Sequence, residues 1–438
     1  MAILSKEEAQ AILKKVIGYS KADFCEVGLN GSDGGNIRYA RNAVSTAGQI
    51  STMSLGVSST FGKKTGSATI NEFDDASLQK VVKRAEELAM LAPENPEFMP
   101  LLGPQTFAES NTYNAKTAAM TPDTRAEMVG KSLSVSKAAG LDAAGFLENA
   151  TRFNAIMNSK GLFAYNKGTN VSFSVTVRNK QGTGSGYVEQ DFNDLDKMDT
   201  LALSKIAAGK ANGSAGAKAI EPGKYTVILE PLAASDILSN MFRGFDARSA
   251  DEGRSFMSKK GGGTRLGEQL FSENVNIYSD PMNTEIPSAT WNGDGLPVKR
   301  TQWVEKGIVK NLSYSRYWAA QKNVEPIPFS RSVIIEGGTQ SLEDLIKSTE
   351  KGILVTRFWY IRSVDPQTLL LTGLTRDGTF YIENGEIKFP IKNFRFNESP
   401  VIMLNNVEAL GKPVRTGSGL IPPMKIRDFT FTSLSDAI

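Results

Sequence analysis

The chain has 438 residues, 40% of them apolar, with 50 basic and 47 acidic side chains for a net charge of +3, no histidine and one cysteine, Cys25. That length exceeds what one hydrophobic core organises, so two domains of roughly 200 residues each are expected. The evenly mixed charge leaves no nucleic-acid footprint, and without histidine or a second thiol the chain builds neither a Cys/His zinc site nor an imidazole-based nucleophile system, which leaves carboxylates, lysines, tyrosines and Ser-Lys pairs as candidate catalytic groups.

The opening MAILSKEEAQ lacks a basic segment followed by an apolar stretch. Nowhere do about eighteen apolar residues run together, so neither a signal peptide nor a membrane span is expected. A lone cysteine fits a reducing compartment, though also a disulfide-free secreted protein, and the cytoplasm is the expected location. Ser5-Lys6-Glu7-Glu8 has the form of a capping box, with Ala9, Ile12, Leu13, Val16 and Ile17 following at helical spacing. Strand alternation places Cys25, Val27 and Leu29 on one face, and Met53, Leu55 and Val57 on another strand. Cys25 therefore reads as a small buried hydrophobe rather than a reactive thiol, since no basic cluster adjoins it. Asp74-Asp75 opens a second helix through Ala89, which Pro93, Pro96, Pro100 and Pro104 turn into a connector. Thr121-Pro122 starts another helix with proline at its first position. Val171, Phe173, Val175 and Val177 alternate with polar residues as a half-buried strand. Gly182, Gly184 and Gly186 follow as a turn between strands, because no Lys-Ser/Thr at the spacing of a phosphate loop accompanies them.

A segment of different character begins near Glu221-Pro222-Gly223, with a strand over 225–229 and a helix from Pro231 through Arg243. From about Val275 onward strands dominate. Asn384-Gly385 between Phe380-Tyr381-Ile382 and Ile387-Lys388-Phe389 is a hairpin signal, and Lys306-Gly307 reads as another turn. The fold class expected is α+β: an N-terminal α/β domain over 1–220, then a mainly antiparallel β domain over 221–438.

A set of phrases in the second half carries a resemblance. Asp280-Pro281, Trp291 to Pro297, Val304 to Val309, Leu342 to Ile346, Lys351 to Val355, Leu371 to Gly378 and the hairpin Ile382 to Ile387 follow one another in this order. Together they resemble the TldD/PmbA family, long labelled modulators of DNA gyrase and understood as metalloprotease components. The first half is similar more loosely, through Ala22 to Val27 after the opening helix and an Arg41-Asn42 strand. Catalytic members carry HExxxH on a helix of the C-terminal domain and a later cysteine, so that two histidines and a thiolate hold zinc while the glutamate activates water. Here the matching stretch is Asp236 to Phe245, with Ser239, Asn240 and Gly244 at the motif's positions and Leu410 in place of the later thiol. The family contains paired subunits, one bearing the motif and one without it. This chain resembles the second kind, the PmbA or TldE type. The resemblance implies no catalytic or metal-binding residue in this chain, with zinc only in a homologous HExxxH-bearing partner, as a heterodimer, or else a homodimer, acting on unstructured peptides or peptide precursors.

Three further residues are candidates for contact with peptide or partner. Arg376-Asp377-Gly378 reads as a turn before a strand whose arginine offers a planar fork for a carboxylate, against the alternative of a structural β-turn with an ion pair. Asp294 sits among glycines, first a turn signal and second a candidate acid. The run Asp246, Arg248, Asp251, Glu252 and Arg254 reads as a solvated helix end, and Gly261-Gly262-Gly263 as a flexible loop that could serve as a lid. Two other functions stay open: a self-sufficient hydrolase using carboxylates or a hard metal, and an interaction protein acting on gyrase or DNA, which the charge distribution does not favour.

Overall fold

A computed structural model describes residues 3–417 and 419–435. The first half runs α1 (Lys6–Tyr19), β1 (Phe24–Ala40), β2 (Ala43–Phe61), β3 (Lys64–Ile70), α2 (Asp75–Leu91), α3 (Ala115–Ala118), α4 (Pro122–Ala138), β4 (Asp142–Asn158), β5 (Phe163–Arg178), β6 (Ser185–Phe192) and α5 (Thr200–Gly213). The capping box forms as read: the Glu8 amide donates to the Ser5 hydroxyl, and the Ser5 amide donates to the Glu8 carboxylate. The six strands make one antiparallel sheet in the order β3-β2-β1-β4-β5-β6. Cys25, Val27 and Leu29 share the parity of Ile37 and Tyr39 along β1, and all five are buried. One face of the sheet is therefore covered throughout, at one end by α1 and α2 and at the other by α4 and α5. Burial pushes the Cys25 thiol pKa up, in keeping with a packing role.

Arg41-Asn42 corrects the reading of a strand there. Both residues have positive φ, 50° and 58°, and form the two-residue turn that joins β1 to β2. Gly186 lies in β6 rather than in a free turn, where α5 crosses so closely that a Cβ would meet the Ala207 carbonyl well inside contact distance.

The second half contributes β7 (Gly223–Leu229), α6 (Pro231–Phe242), α7 (Ala247–Asp251), β8 (Ile277–Ser279), β9 (Thr301–Glu305), β10 (Ile308–Val309), α8 (Arg316–Lys322), β11 (Val333–Ile335) and α9 (Leu342–Lys347). It continues with β12 (Lys351–Asp365), β13 (Leu370–Glu383), β14 (Glu386–Pro390), β15 (Phe394–Glu398), α10 (Pro400–Asn405), β16 (Val407–Leu410), β17 (Val414–Thr416), β18 (Gly419–Ile421) and β19 (Met424–Leu434). Two sheets result. One has the order β10-β9-β8-β11-β18-β17, with only β11 and β18 parallel. The other has the order β12-β7-β19-β15-β13-β14, and because β12 also pairs with β13, five of its strands close on themselves. Helix α6 lies in the core these sheets share, burying Ala233, Ala234, Ile237, Leu238 and Met241 among Phe245, Phe256, Trp303 and Phe358. The α+β class and the β-rich second half are thus as read.

The uncovered face of the first sheet looks toward the second half. Ile156 of β4 and Leu162 crowd the α-carbon of Gly295, and the connector ahead of α3 is fastened there, with the Ser110 hydroxyl donating to the Pro281 carbonyl at 2.7 Å and that of Thr290 to Ala108 at 2.6 Å. Among the described residues no helix is long and apolar enough to cross a membrane.

Candidate functional site

The positions that matter most lie along α6. Pro231 starts the helix without needing an amide partner, and Ala233, Ala234, Ile237, Leu238 and Met241 fix its buried side. That leaves Ser239 exposed and Asn240 at the margin. Both turn back on the helix: the Ser239 hydroxyl and the Asn240 amide each donate to the Asp236 carbonyl at 3.0 Å. After Phe242 the helix tightens into a single 3₁₀ turn, Arg243–Phe245, and restarts at α7 under an Asp246 cap whose carboxylate accepts the Ser249 amide. Gly244 occupies that tight turn beneath the Phe256 ring. Any Cβ at 244 would fall inside the ring's contact distance, and the Gly244 carbonyl accepts the Ser255 hydroxyl. Leu410 sits at the end of β16 opposite Met424, half-buried against the core, with its carbonyl taking the Gly338 amide.

Ser239 opens onto a cavity of about 680 Å³, whose lining also includes Phe242, Arg243, Asp246, Arg331 and Thr416. Neither Asn240, Gly244 nor Leu410 borders it. The four positions are therefore not brought together around a common point. A neighbouring cavity of about 160 Å³ shares Thr416 and runs beside β6, past Tyr187, Glu189, Lys210 and Glu230. Here the two halves of the chain meet edge to edge. Arg415 of β17 donates to Asp191 and Asn193 at 2.9 Å each, and Lys210 of α5 pairs at 2.6 Å with Glu230, which caps α6.

The most perturbed carboxyl of this seam was not singled out from the sequence. Asp236 has its pKa pushed up to about 7, above all by burial; the Phe358 amide, donating at 2.9 Å, and Arg357 pull the other way, and Glu189 adds to the rise. Beside it the Tyr187 hydroxyl donates to Glu189 while the Arg357 guanidinium lies 3.9 Å over the Tyr187 ring. Burial, then the Glu189 charge, raise the pKa of that phenol. Asp236 is the one charged residue within α6 (Pro231–Phe242), and that is the signal that would have found it. Arg331, in Phe329-Ser330-Arg331-Ser332, gave none.

Arg376-Asp377-Gly378 is a correction. The triplet is not a turn ahead of a strand but a bulge within β13, where Val355 pairs with Thr379 and Arg357 with Arg376, so that Asp377 and Gly378 together oppose Thr356 alone. Asp377 has φ 56° and is 3% exposed; it accepts the Ser185 hydroxyl and lies 3.5 Å from Arg357 and 3.8 Å from Arg376. Two arginines directly opposite each other would repel. The buried carboxylate between them and the stacking of Arg376 on Trp359 at 4.1 Å hold them there. Asp294 is exposed at its turn, away from the cavity, and its charge helps burial to raise the Glu26 carboxyl across the sheet face. Arg248 is less solvated than the sequence suggested, since its guanidinium makes a two-pronged contact with Glu97 of the connector at 2.8 Å.

Three family models match the chain in order: PmbA/TldA metallopeptidase domain 1 over residues 25–89, the central domain over 115–215 and the C-terminal domain over 222–433. A metalloprotease of Methanothermobacter thermautotrophicus is 25% identical over 289 residues, 61% of this chain and 61% of that protein, so the match spans about three fifths of that relative. In fold the chain is similar to TldE from Thermococcus kodakarensis, with a TM-score of 0.86 at 18% identity over 97% of this chain and all of that one. It is also similar to a Bacteroides thetaiotaomicron protein described as a modulator of DNA gyrase, with a TM-score of 0.87 at 21% identity over 98% and 99% of the two chains.

Proposed function

Since the chain belongs to the PmbA/TldD metallopeptidase family, we propose that it is the subunit that binds no metal in a cytoplasmic two-component metallopeptidase acting on unstructured peptides or peptide precursors. Its partner is a homologous HExxxH-bearing subunit that carries the zinc, and in that partner's absence the chain pairs with itself.

One observation supports this reading: the residues at the four positions that the resemblance matches to the zinc motif offer no metal site. A zinc ion in this family takes imidazole and thiolate donors converging at about 2.0–2.3 Å. The residues present do not fit it. Ser239 and Asn240 each donate to the Asp236 carbonyl, Gly244 is filled over by Phe256, and Leu410 is apolar and does not border the cavity that Ser239 lines. Among the described residues no three Asp, Glu, Cys or His side chains cluster so as to hold a metal ion. What α6 retains is its place: it still forms one wall of the large cavity, which supports a role in enclosing and holding peptide. Co-expression with an HExxxH paralogue tests the reading. A stable complex is expected whose peptidase activity is absent from this chain alone. Neither complex nor any change in the paralogue's activity would overturn it.

A second reading has one observation in its favour. Asp236, with its carboxyl raised to about 7 beside Glu189 and Tyr187, is the kind of group a carboxylate-based hydrolase would use as acid and base. One of its oxygens, however, accepts the Phe358 amide, beyond the stretch 353–355 over which β12 pairs with β7. Peptide hydrolysis by the isolated chain, abolished by Asp236→Asn, would establish this alternative, and an inert isolated chain removes it.

A further inference from the structure

The cavity beside α6 carries an excess of positive charge that the fold does not neutralise. Arg243 and Arg331 both line it, and neither guanidinium has an ion-pair or hydrogen-bond partner among the described residues. Among the described residues Asp246 is the one carboxylate in the lining; it forms no ion pair with either arginine, and one of its oxygens already accepts the Ser249 amide at 2.8 Å. Both arginines are exposed, whereas the more buried Arg415 is engaged by Asp191 and Asn193, and Arg357 and Arg376 by Asp377 and aromatic rings. Two guanidiniums lining one concavity without an acceptor supply the donors and charge that bind a carboxylate.

The rest of the lining narrows the ligand. Phe242 and Phe329 form an aromatic wall with ring centroids 6.2 Å apart, and Phe329 is braced from behind by Trp303 at 5.0 Å. A volume of about 680 Å³ holds more than a single small anion. We infer that this cavity binds the carboxyl terminus of a peptide whose last residue is apolar, with the α-carboxylate on Arg243 and Arg331 and the last side chain against Phe242 and Phe329. The arginine pair thus supplies positive charge in the cavity that the motif helix borders. The inference rests on the peptide-handling reading above and specifies which end of the peptide the chain grips.

The test compares hexapeptides labelled at the amino end and ending in Phe, as free acid and as amide, by fluorescence anisotropy with the full chain, alone and with an HExxxH paralogue. The free acid is expected to bind about tenfold or more tightly than the amide, the effect of losing a charge-assisted contact. Arg243→Met and Arg331→Met should each weaken the acid by about fivefold or more, leave the amide unchanged, and together abolish the preference. Equal binding of acid and amide by the unmutated chain overturns the inference without recourse to any variant. So does displacement of the peptide by inorganic phosphate at equal concentration, which would mark a general anion site, and so does an intact preference in the double variant. Complex formation with the paralogue is read separately by light scattering: its failure with acid preference intact sinks only the subunit reading, and a complex without acid preference sinks only this inference.

Discussion

Gly244 shows how one position without a side chain becomes a structural commitment. Its α-carbon lies so near the Phe256 ring that the smallest side chain must displace that ring, which itself packs edge-on against Phe245 in the core. Gly244→Ala is therefore expected to cost about 1–3 kcal/mol by overpacking, measured by chemical denaturation. Restoring the motif through Ser239→His, Asn240→Glu and Gly244→His is expected to yield no stoichiometric zinc by elemental analysis, because the cavity borders only the first of those positions. Asp236 makes a second prediction at this scale. Its folded pKa, about 7, lies above the ordinary 3.8, so the fold favours the protonated acid: the contribution is complete below about pH 4 and is lost as pH rises through 7. Asp236→Asn mimics the protonated form and keeps an acceptor for the Phe358 amide. Relative to the unmutated chain it should gain stability between pH 5 and 8, by about 2–3 kcal/mol at the upper end, and a pH-independent difference in denaturation midpoints would contradict the assignment. That 239, 240 and 244 carry no histidine or carboxylate is legible in the sequence; the Phe256 ring that enforces glycine at 244 is not, since twelve residues and a helix restart separate the two.

Local elements were legible where a residue type dictates backbone geometry. Asn384-Gly385 and Lys306-Gly307 both adopt positive φ at each position, 52° and 75°, then 48° and 75°, and close hairpins as their dipeptides imply. Arg41-Asn42 closes the longest hairpin in the chain with the same geometry but without glycine, and the register of seventeen paired positions between β1 and β2, rather than the turn residues, holds it. The Arg376-Asp377-Gly378 bulge was illegible for a related reason: it answers to Ser185 and Arg357, partners distant in sequence. Elements of the two halves are also joined by a shielded ion pair. Lys210 near the end of α5 meets Glu230 at the cap of α6, with side chains 17% and 13% exposed, and Thr356 donates to the other oxygen of Glu230. Removing one member strands the other charge, so Lys210→Met and Glu230→Gln are each expected to cost about 2–4 kcal/mol, whereas combining Lys210→Met with Glu230→Leu should cost less than the sum of the singles. A double-mutant cycle that proves additive would show that the pair does not couple the helices.

At the scale of the molecule, the three sheets depend on pairings that no window of sequence contains. β7 is flanked by β12 and β19, each more than a hundred residues further along, and the ring of five strands closes only when β12 also meets β13. Class and order of elements could be read from capping and alternation; closure could not, and neither could the seam where the first sheet's edge strand β6 faces β17. Arg415 is the central tie of that seam. Its side chain is 9% exposed, and it donates to Asp191 and Asn193 at 2.9 Å and to the Glu285 carbonyl at 2.6 Å. Burial raises the Asp191 carboxyl even with the arginine present to oppose it, so Arg415→Met leaves a buried carboxylate without its counter-charge. The expected loss is about 3–5 kcal/mol at neutral pH. It should shrink toward pH 5, because the unpaired Asp191 then takes up a proton in the folded state more readily than in the unfolded chain. Amide exchange should quicken at 191–193 and 414–416, where the halves touch, while α1, at the far end of the first sheet, keeps its protection. A loss of the same size at both pH values, or exchange that quickens equally in α1, would mean that Arg415 supports the whole core instead of fastening one half of the chain to the other.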